Sequence, residues 1–103
     1  MEKEFYIEED GIRLHAKLEK PEEGKKFPLL IVIHGLTGHM EERHIKAVAD
    51  TALDIGFAVL RVDMYGHGKS EGNFRDHTIF KWLTNAMTVI DYARNLDFVT
   101  DVY

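Results

Sequence analysis

The residue pattern predicts an α/β fold, and three stretches carry the prediction. Leu29-Leu30-Ile31-Val32-Ile33 is an unbroken apolar run, introduced by Pro28 and followed by the glycine-punctuated His34-Gly35-Leu36-Thr37-Gly38. A run that short and that apolar is the signature of a parallel strand covered on both faces. Phe57-Ala58-Val59-Leu60-Arg61-Val62 is a second such run, and a stretch of helical periodicity separates the two. Strand, helix, strand makes a right-handed crossover and therefore a parallel pair.

Taken in order, the chain opens with an antiparallel hairpin over residues 3–19. Phe5 and Ile7 alternate with polar neighbours, Asp10-Gly11 supplies the tight turn, and Ile12, Leu14, Ala16 and Leu18 alternate with Arg13, His15, Lys17 and Glu19. That alternation describes strands with one buried and one wet face. His15 falls on the polar side and reads as a surface histidine. Residues 21–28 form an exposed loop by their prolines, glycine and charges. Beyond strand 29–33, a helix over 41–55 is expected from the stripe Ile45, Val48, Ala49 and Ala52, with Glu41 and Glu42 at its positive end and Gly56 as its cap. Strand 57–62 ends at Asp63, and the loop after it carries Gly66, Gly68 and Gly72. A second helix over 78–95 places Ile79, Leu83, Ala86, Met87, Ile90 and Ala93 on one core-facing stripe. Asp101-Val102-Tyr103 reads as the first step of a further strand.

With 103 residues, 45% of them hydrophobic, residues 1–103 can build one small packed unit. There are 18 acidic against 13 basic residues, and the net charge of −5 argues against nucleic acid as the main partner. Cysteine is absent, which rules out disulfides, thiolate metal sites and a cysteine nucleophile and fits a reducing, cytoplasmic setting. The N-terminus lacks the apolar core of a signal peptide, and no run reaches the roughly 18 apolar residues of a membrane span, so no membrane partner is expected.

Several motifs fail on context. Gly68-Lys69-Ser70-Glu71-Gly72 spells G-x-S-x-G, but a nucleophile elbow needs a strand ending just before its serine and a helix starting just after. Here the strand ends near Asp63 and the helix starts near Thr78, so Ser70 reads as a turn residue bonding to its own loop. Gly68-Lys69-Ser70 lacks the earlier glycine of a phosphate-binding loop, position 63 being Asp, and Gly66-His67-Gly68 lacks the third glycine of a dinucleotide fingerprint, position 71 being Glu. His34, His39 and His44 lack the spacing and glutamate of a zinc-protease helix, so neither metal nor cofactor is expected. What remains is backbone. The N–H of Leu36, at the C-terminal edge of the sheet, is placed to stabilise negative charge on a carbonyl oxygen, or else belongs to a tight turn without chemistry. As half an oxyanion hole, one such donor is worth ~2.7–4 kcal/mol of transition-state stabilisation.

His34-Gly35-Leu36-Thr37-Gly38, followed by Asp63-Met64-Tyr65-Gly66-His67-Gly68-Lys69-Ser70, resembles the paired signature of the α/β-hydrolase superfamily. Gly72-Asn73-Phe74-Arg75-Asp76-His77-Thr78 makes the chain similar to the bacterial cinnamoyl or feruloyl esterases within it, although monoacylglycerol lipases and related peptidases share the two main motifs. The resemblance implies the N-terminal half of a serine carboxylesterase acting on hydroxycinnamate esters. In it Leu36 matches the first oxyanion donor, His34, Gly35, Thr37 and Gly38 its supporting turn, and Asp63, Gly66 and Gly68 structural positions beside the active site. The family's nucleophile elbow, triad Asp and His, and lid match nothing in this sequence, so no catalytic residue is assigned and the chain alone is expected to be inactive.

The same resemblance sets strand 29–33 between strand 57–62 and a nucleophile strand, which would leave 29–33 as an open sheet edge, a template for another chain. The expected partner is a second copy, giving a homodimer, or a complementary C-terminal half. Three readings follow: the N-terminal part of a cinnamoyl-type esterase, a non-catalytic half-fold that self-associates through that edge, or a minimal hydrolase using Ser70.

Overall fold

A computed structural model describes residues 2–103. Among the described residues five strands form one mixed sheet: β1 (Glu2–Glu9), β2 (Ile12–Glu19), β3 (Phe27–Ile33), β4 (Ala58–Val62) and β5 (Val99–Val102), in the order β1-β2-β4-β3-β5. Helix α1 (Arg43–Asp54) joins β3 to β4, and a 3₁₀ turn (Phe74–Asp76) and helix α2 (Ile79–Arg94) join β4 to β5. β1 with β2 and β2 with β4 are antiparallel; β3 is parallel to both β4 and β5. This is the α/β fold the sequence predicts.

Local chemistry explains most boundaries. Asp10 at φ 51° and Gly11 at φ 81° close the hairpin between the paired residues Glu9 and Ile12, the two-residue turn in which both central positions are left-handed. Gly56, at φ 98°, ends α1: its N–H donates to Leu53 O (3.1 Å) and the Phe57 N–H to Ala52 O (2.9 Å), which is the Schellman cap. Thr78 caps α2 by accepting the Lys81 N–H at 3.2 Å. Glu42 stands at the N-cap of α1 without a side-chain cap bond, and Glu41 turns away to Lys17 and Arg61. The two acidic residues expected to serve the helix end therefore bind elsewhere.

The crossover to β4 and the crossover to β5 run in opposite directions across the sheet, so right-handed connections put their helices on opposite faces. One face packs Val32 and Val59 against Ile45, Ala49 and Ala52 of α1. The other packs Ile7, Leu14, Leu18, Leu29, Leu60 and Val62 against Val89 and Ala93 of α2. All five residues of β4 are buried, as its central place requires.

Three expectations are corrected. Strand 29–33 is not the sheet edge: Phe27 N donates to Phe98 O (2.9 Å), Tyr103 N to Leu29 O (2.8 Å) and Ile31 N to Tyr103 O (2.9 Å). The stretch expected to begin a further strand forms β5, so β3 lies inside the sheet and short β5 is the edge. The predicted stripe of α2 is rotated: Ile79 (68% exposed), Leu83 and Met87 face outward with Phe80, whereas Asn85, Val89 and Ala93 are buried and Trp82, Ala86 and Ile90 partly so. The helix has two apolar faces, and only one meets the sheet. His15, finally, is buried at 1% exposure, because the loop after β4 folds back across that part of β2.

Candidate active site

The C-terminal ends of β3 and β4 deliver the loops 34–42 and 63–73 to one edge of the sheet, where ligands bind in open α/β folds. The first loop begins with a reverse turn closed by Gly38 N–H to Gly35 O at 3.0 Å. Thr37 sits at φ 65°, and Leu36 does not share that positive value, which is the type II pattern. Two histidines strap the loops together. His34 Nε2 accepts the Met64 N–H (3.0 Å) while its Nδ1 donates to Gly35 O (2.7 Å). Reciprocally, His67 Nε2 accepts the Thr37 N–H (3.2 Å) while its Nδ1 donates to Tyr65 O (2.8 Å). Each ring reaches from its own loop to a backbone donor of the other, and this pattern assigns both tautomers. Burial holds His34 below the ordinary histidine pKa, with His67 adding to the effect, so the accepting nitrogen stays free of a proton near neutrality.

Asp63 fastens the same loops from below. One carboxylate oxygen accepts the Met40 N–H (2.8 Å); the other accepts His15 Nδ1–H (2.9 Å) and the Lys69 N–H (3.1 Å). Gly68 makes room for it: at φ 50°, a Cβ there would come within 2.4 Å of the carboxylate. Ser70 lies in the same clasp. Its hydroxyl donates to Asp63 O and accepts the His15 N–H at 2.8 Å, so it is committed to the loop and not free to act as a nucleophile. Glu4 binds the other ring nitrogen of His15, a hydrogen bond that holds the Glu4 carboxyl below its usual value. Beside this group, buried Arg61 reaches Glu41 (3.0 Å), Glu19 (3.2 Å) and Glu2 (3.5 Å) and donates to Met40 O. Lys17 also pairs with Glu41, raising the lysine pKa and lowering that of the carboxyl.

Above the clasp, Leu36 is 64% exposed and borders a cleft of about 390 Å³ lined by His77, Thr78, Ile79 and Trp82. The wall is aromatic and fixed: the Trp82 ring lies 4.8 Å from His77 and 5.5 Å from both His34 and His67, close to edge-on. Burial lowers the His77 pKa, and His67, His34 and Lys81 lower it further. The cleft is thus lined by neutral groups at neutral pH and suits an apolar moiety.

Every residue the sequence marks for this site falls in one cluster. His34, Gly35, Leu36, Thr37 and Gly38 form the turn, and Asp63, Gly66 and Gly68 the opposing loop. Sequence reasoning missed His67, His15, Trp82 and Asn85, whose side chain accepts the Tyr65 N–H (2.8 Å) and donates to Glu9 (3.0 Å). One signal was available, since Asn85 is a polar residue on the sheet side of an otherwise apolar helix face.

The profile of the X-Pro dipeptidyl-peptidase (S15) family matches residues 10–101. The chain belongs to this α/β-hydrolase family. Among its solved structural relatives, Est1E from Butyrivibrio proteoclasticus, seen with bound ferulic acid, is 62% identical with a TM-score of 0.94 over 96% of this chain. The S15-family chain described here spans 40% of that protein. Human palmitoyl-protein thioesterase ABHD10 is 32% identical over 66 residues, which are 64% of this chain and 22% of the thioesterase. An α/β serine hydrolase homologue from Coxiella burnetii shares the fold, with a TM-score of 0.80 at 20% identity over 97% of this chain and 49% of that one. The fold is therefore the N-terminal part of an α/β-hydrolase. Among the described residues no helix is long and apolar enough to cross a membrane.

Proposed function

We propose that this chain is the N-terminal portion of a serine carboxylesterase of the feruloyl or cinnamoyl type, acting on hydroxycinnamate esters in the cytoplasm. It contributes the Leu36 N–H as one oxyanion donor and leaves the triad to a C-terminal portion. The single observation that carries this reading is the strapped turn at 35–38, which holds a backbone donor beside an apolar cleft at the C-terminal edge of the sheet. When a serine attacks an ester carbonyl, charge collects on the carbonyl oxygen, and a donor already fixed in place stabilises it without reorganisation. The neutral cleft would seat the apolar part of the ester while excluding water. Similarity to Est1E supports the substrate class. The sole serine of the chain, Ser70, has its hydroxyl engaged in the loop, which supports inactivity of the chain by itself.

The test is a chimera in which this chain replaces the matching segment of Est1E. The chimera should hydrolyse methyl ferulate, and the isolated chain should not. Leu36→Pro then removes the N–H while keeping the turn, since proline suits the first central position of a type II turn; kcat should fall by about 10²–10³. A folded chimera without turnover, turnover by the isolated chain, or an active Leu36→Pro chimera would each refute the proposal.

A second reading, a non-catalytic unit that self-associates, draws on the outward row Ile79, Phe80, Leu83 and Met87 and on the short β5 edge. Native mass spectrometry of the isolated chain decides it: a dimer supports the reading, and a monomer at high concentration removes it.

A further inference from the structure

We infer that His34 is a positioning residue: by donating from Nδ1 to Gly35 O it orients the Gly35–Leu36 peptide relative to the sheet, and so aims the Leu36 N–H. A trans peptide moves as one plane, with its C=O and N–H pointing in opposite directions. Holding the Gly35 oxygen therefore sets the direction of the Leu36 hydrogen. Side-chain packing does not hold that plane. Gly35 has no side chain, a Cβ there would meet nothing within 4 Å, and Leu36 is 64% exposed. Rotation of the peptide between these two α-carbons thus meets little steric resistance. Two donors reach Gly35 O: the Gly38 N–H at 3.0 Å and His34 Nδ1–H at 2.7 Å. The Gly38 bond belongs to the 35–38 turn and moves with it. The His34 bond refers the peptide to the end of β3, and so to the sheet.

The imidazole is fixed at both nitrogens. A neutral ring carries one N–H and one lone pair. The Met64 N–H can only donate, so Nε2, 3.0 Å away, is the acceptor, and the proton stays on Nδ1, facing Gly35 O. His34 is 2% exposed and directly follows β3; its ring stands edge-on to Trp82 at 5.5 Å and lies 5.0 Å from His67. The ring is a rigid bracket between the 63–73 loop and the peptide: Met64 sets the tautomer, and the tautomer holds the carbonyl. The effect on turnover rests on the oxyanion reading of Leu36; the orientation of the peptide does not.

Two substitutions separate the two bonds of the ring. Asparagine places a side-chain N–H where Nδ1 stands, and glutamine an oxygen where Nε2 stands. In the Est1E chimera, His34→Gln keeps the Met64 bond but frees the Gly35 carbonyl. It should lower kcat about tenfold with KM little changed, part of the roughly 10²–10³ that loss of a whole oxyanion donor costs. His34→Asn gives up the Met64 bond, keeps the Gly35 bond and should retain most of the turnover. A role confined to strapping the loops would instead lower both alike. In the 15N-labelled chain the Leu36 N–H should have an order parameter of about 0.85, as rigid backbone does; His34→Gln should lower it and His34→Asn should not. Equal loss of kcat in both variants, loss in His34→Asn alone, or an unchanged Leu36 N–H in His34→Gln overturns the inference. Should either variant fail to fold, the unsubstituted chain decides: a proton on Nδ1 with a rigid Leu36 N–H supports the inference, and a proton on Nε2 or an order parameter below about 0.6 overturns it. If the Leu36 N–H loosens in His34→Gln while kcat holds, Leu36→Pro separates the causes: a damaging Leu36→Pro overturns the positioning role, and a harmless one overturns the oxyanion reading.

Discussion

Replacing Asp63 with asparagine should cost this fold a large part of its stability. The carboxylate is 2% exposed and receives three donors: Met40 N–H at one oxygen, His15 Nδ1–H and Lys69 N–H at the other. An asparagine can turn its oxygen toward the pair of donors, but its NH2 group then faces the Met40 N–H. In the opposite orientation two donors are left facing it. The first orientation is cheaper, and it still leaves one buried donor unsatisfied, which costs about 1–3 kcal/mol, while hydrogen bonds to a charged group give up a further fraction when the charge is lost. A total of about 3 kcal/mol is expected, a substantial share of the roughly 5–15 kcal/mol that holds a domain together. Urea unfolding followed by Trp82 fluorescence measures it, and the midpoint should fall with the slope unchanged. A loss below about 1 kcal/mol would refute the claim that the clasp is fully desolvated and satisfied.

Gly68→Ala should destabilise by about 2 kcal/mol, since it combines a left-handed alanine, costing about 1–2 kcal/mol, with a Cβ pressed on the Asp63 carboxylate; faster exchange of the Lys69 amide would confirm where the damage falls. Acid should weaken the fold in two stages. His34 and His77 have folded pKa values below the ordinary histidine value of 6.5, so the unfolded chain binds protons first, and stability present above that pH is lost as pH falls through the folded values. Glu4 and Glu41 are lowered from 4.5, so their contribution is lost only below that. Urea midpoints that stay flat between pH 7.5 and 5.5 would contradict the histidine stage. Ser70→Ala should cost about 1 kcal/mol through its two lost bonds without changing turnover of the Est1E chimera. A serine-reactive phosphonate should leave the isolated chain unlabelled; labelling at Ser70 would reinstate that residue as a nucleophile.

Periodicity and turn chemistry made the elements legible. Asp10-Gly11 announces its hairpin because few residue pairs accept two left-handed positions, and Gly56 announces the end of α1 for a related reason. The turn at 35–38 and the loop with Gly66 and Gly68 were likewise readable as loops at the C-terminal ends of two buried strands, and the structure brings them together. His67 was not readable as a strap between the two loops: its partner, the Thr37 N–H, is thirty residues away in sequence and adjacent only after β3 and β4 pair. His15 misled for the same kind of reason. Alternation assigns it to the wet face of β2, and only the return of residues 63–71 over that strand covers it.

By itself the sequence determined the α/β class, the order of strands and helices, and the place along the chain where backbone donors gather, because these depend on local periodicity and on which residues tolerate particular backbone angles. The tertiary structure alone decided the rest. It covers β3 with β5, turns one apolar face of α2 outward, and brings Asp63, His15, His34 and His67 together into one set of clasps. Such contacts join residues far apart in the chain, and their energies exist only once the sheet has fixed the distances between them.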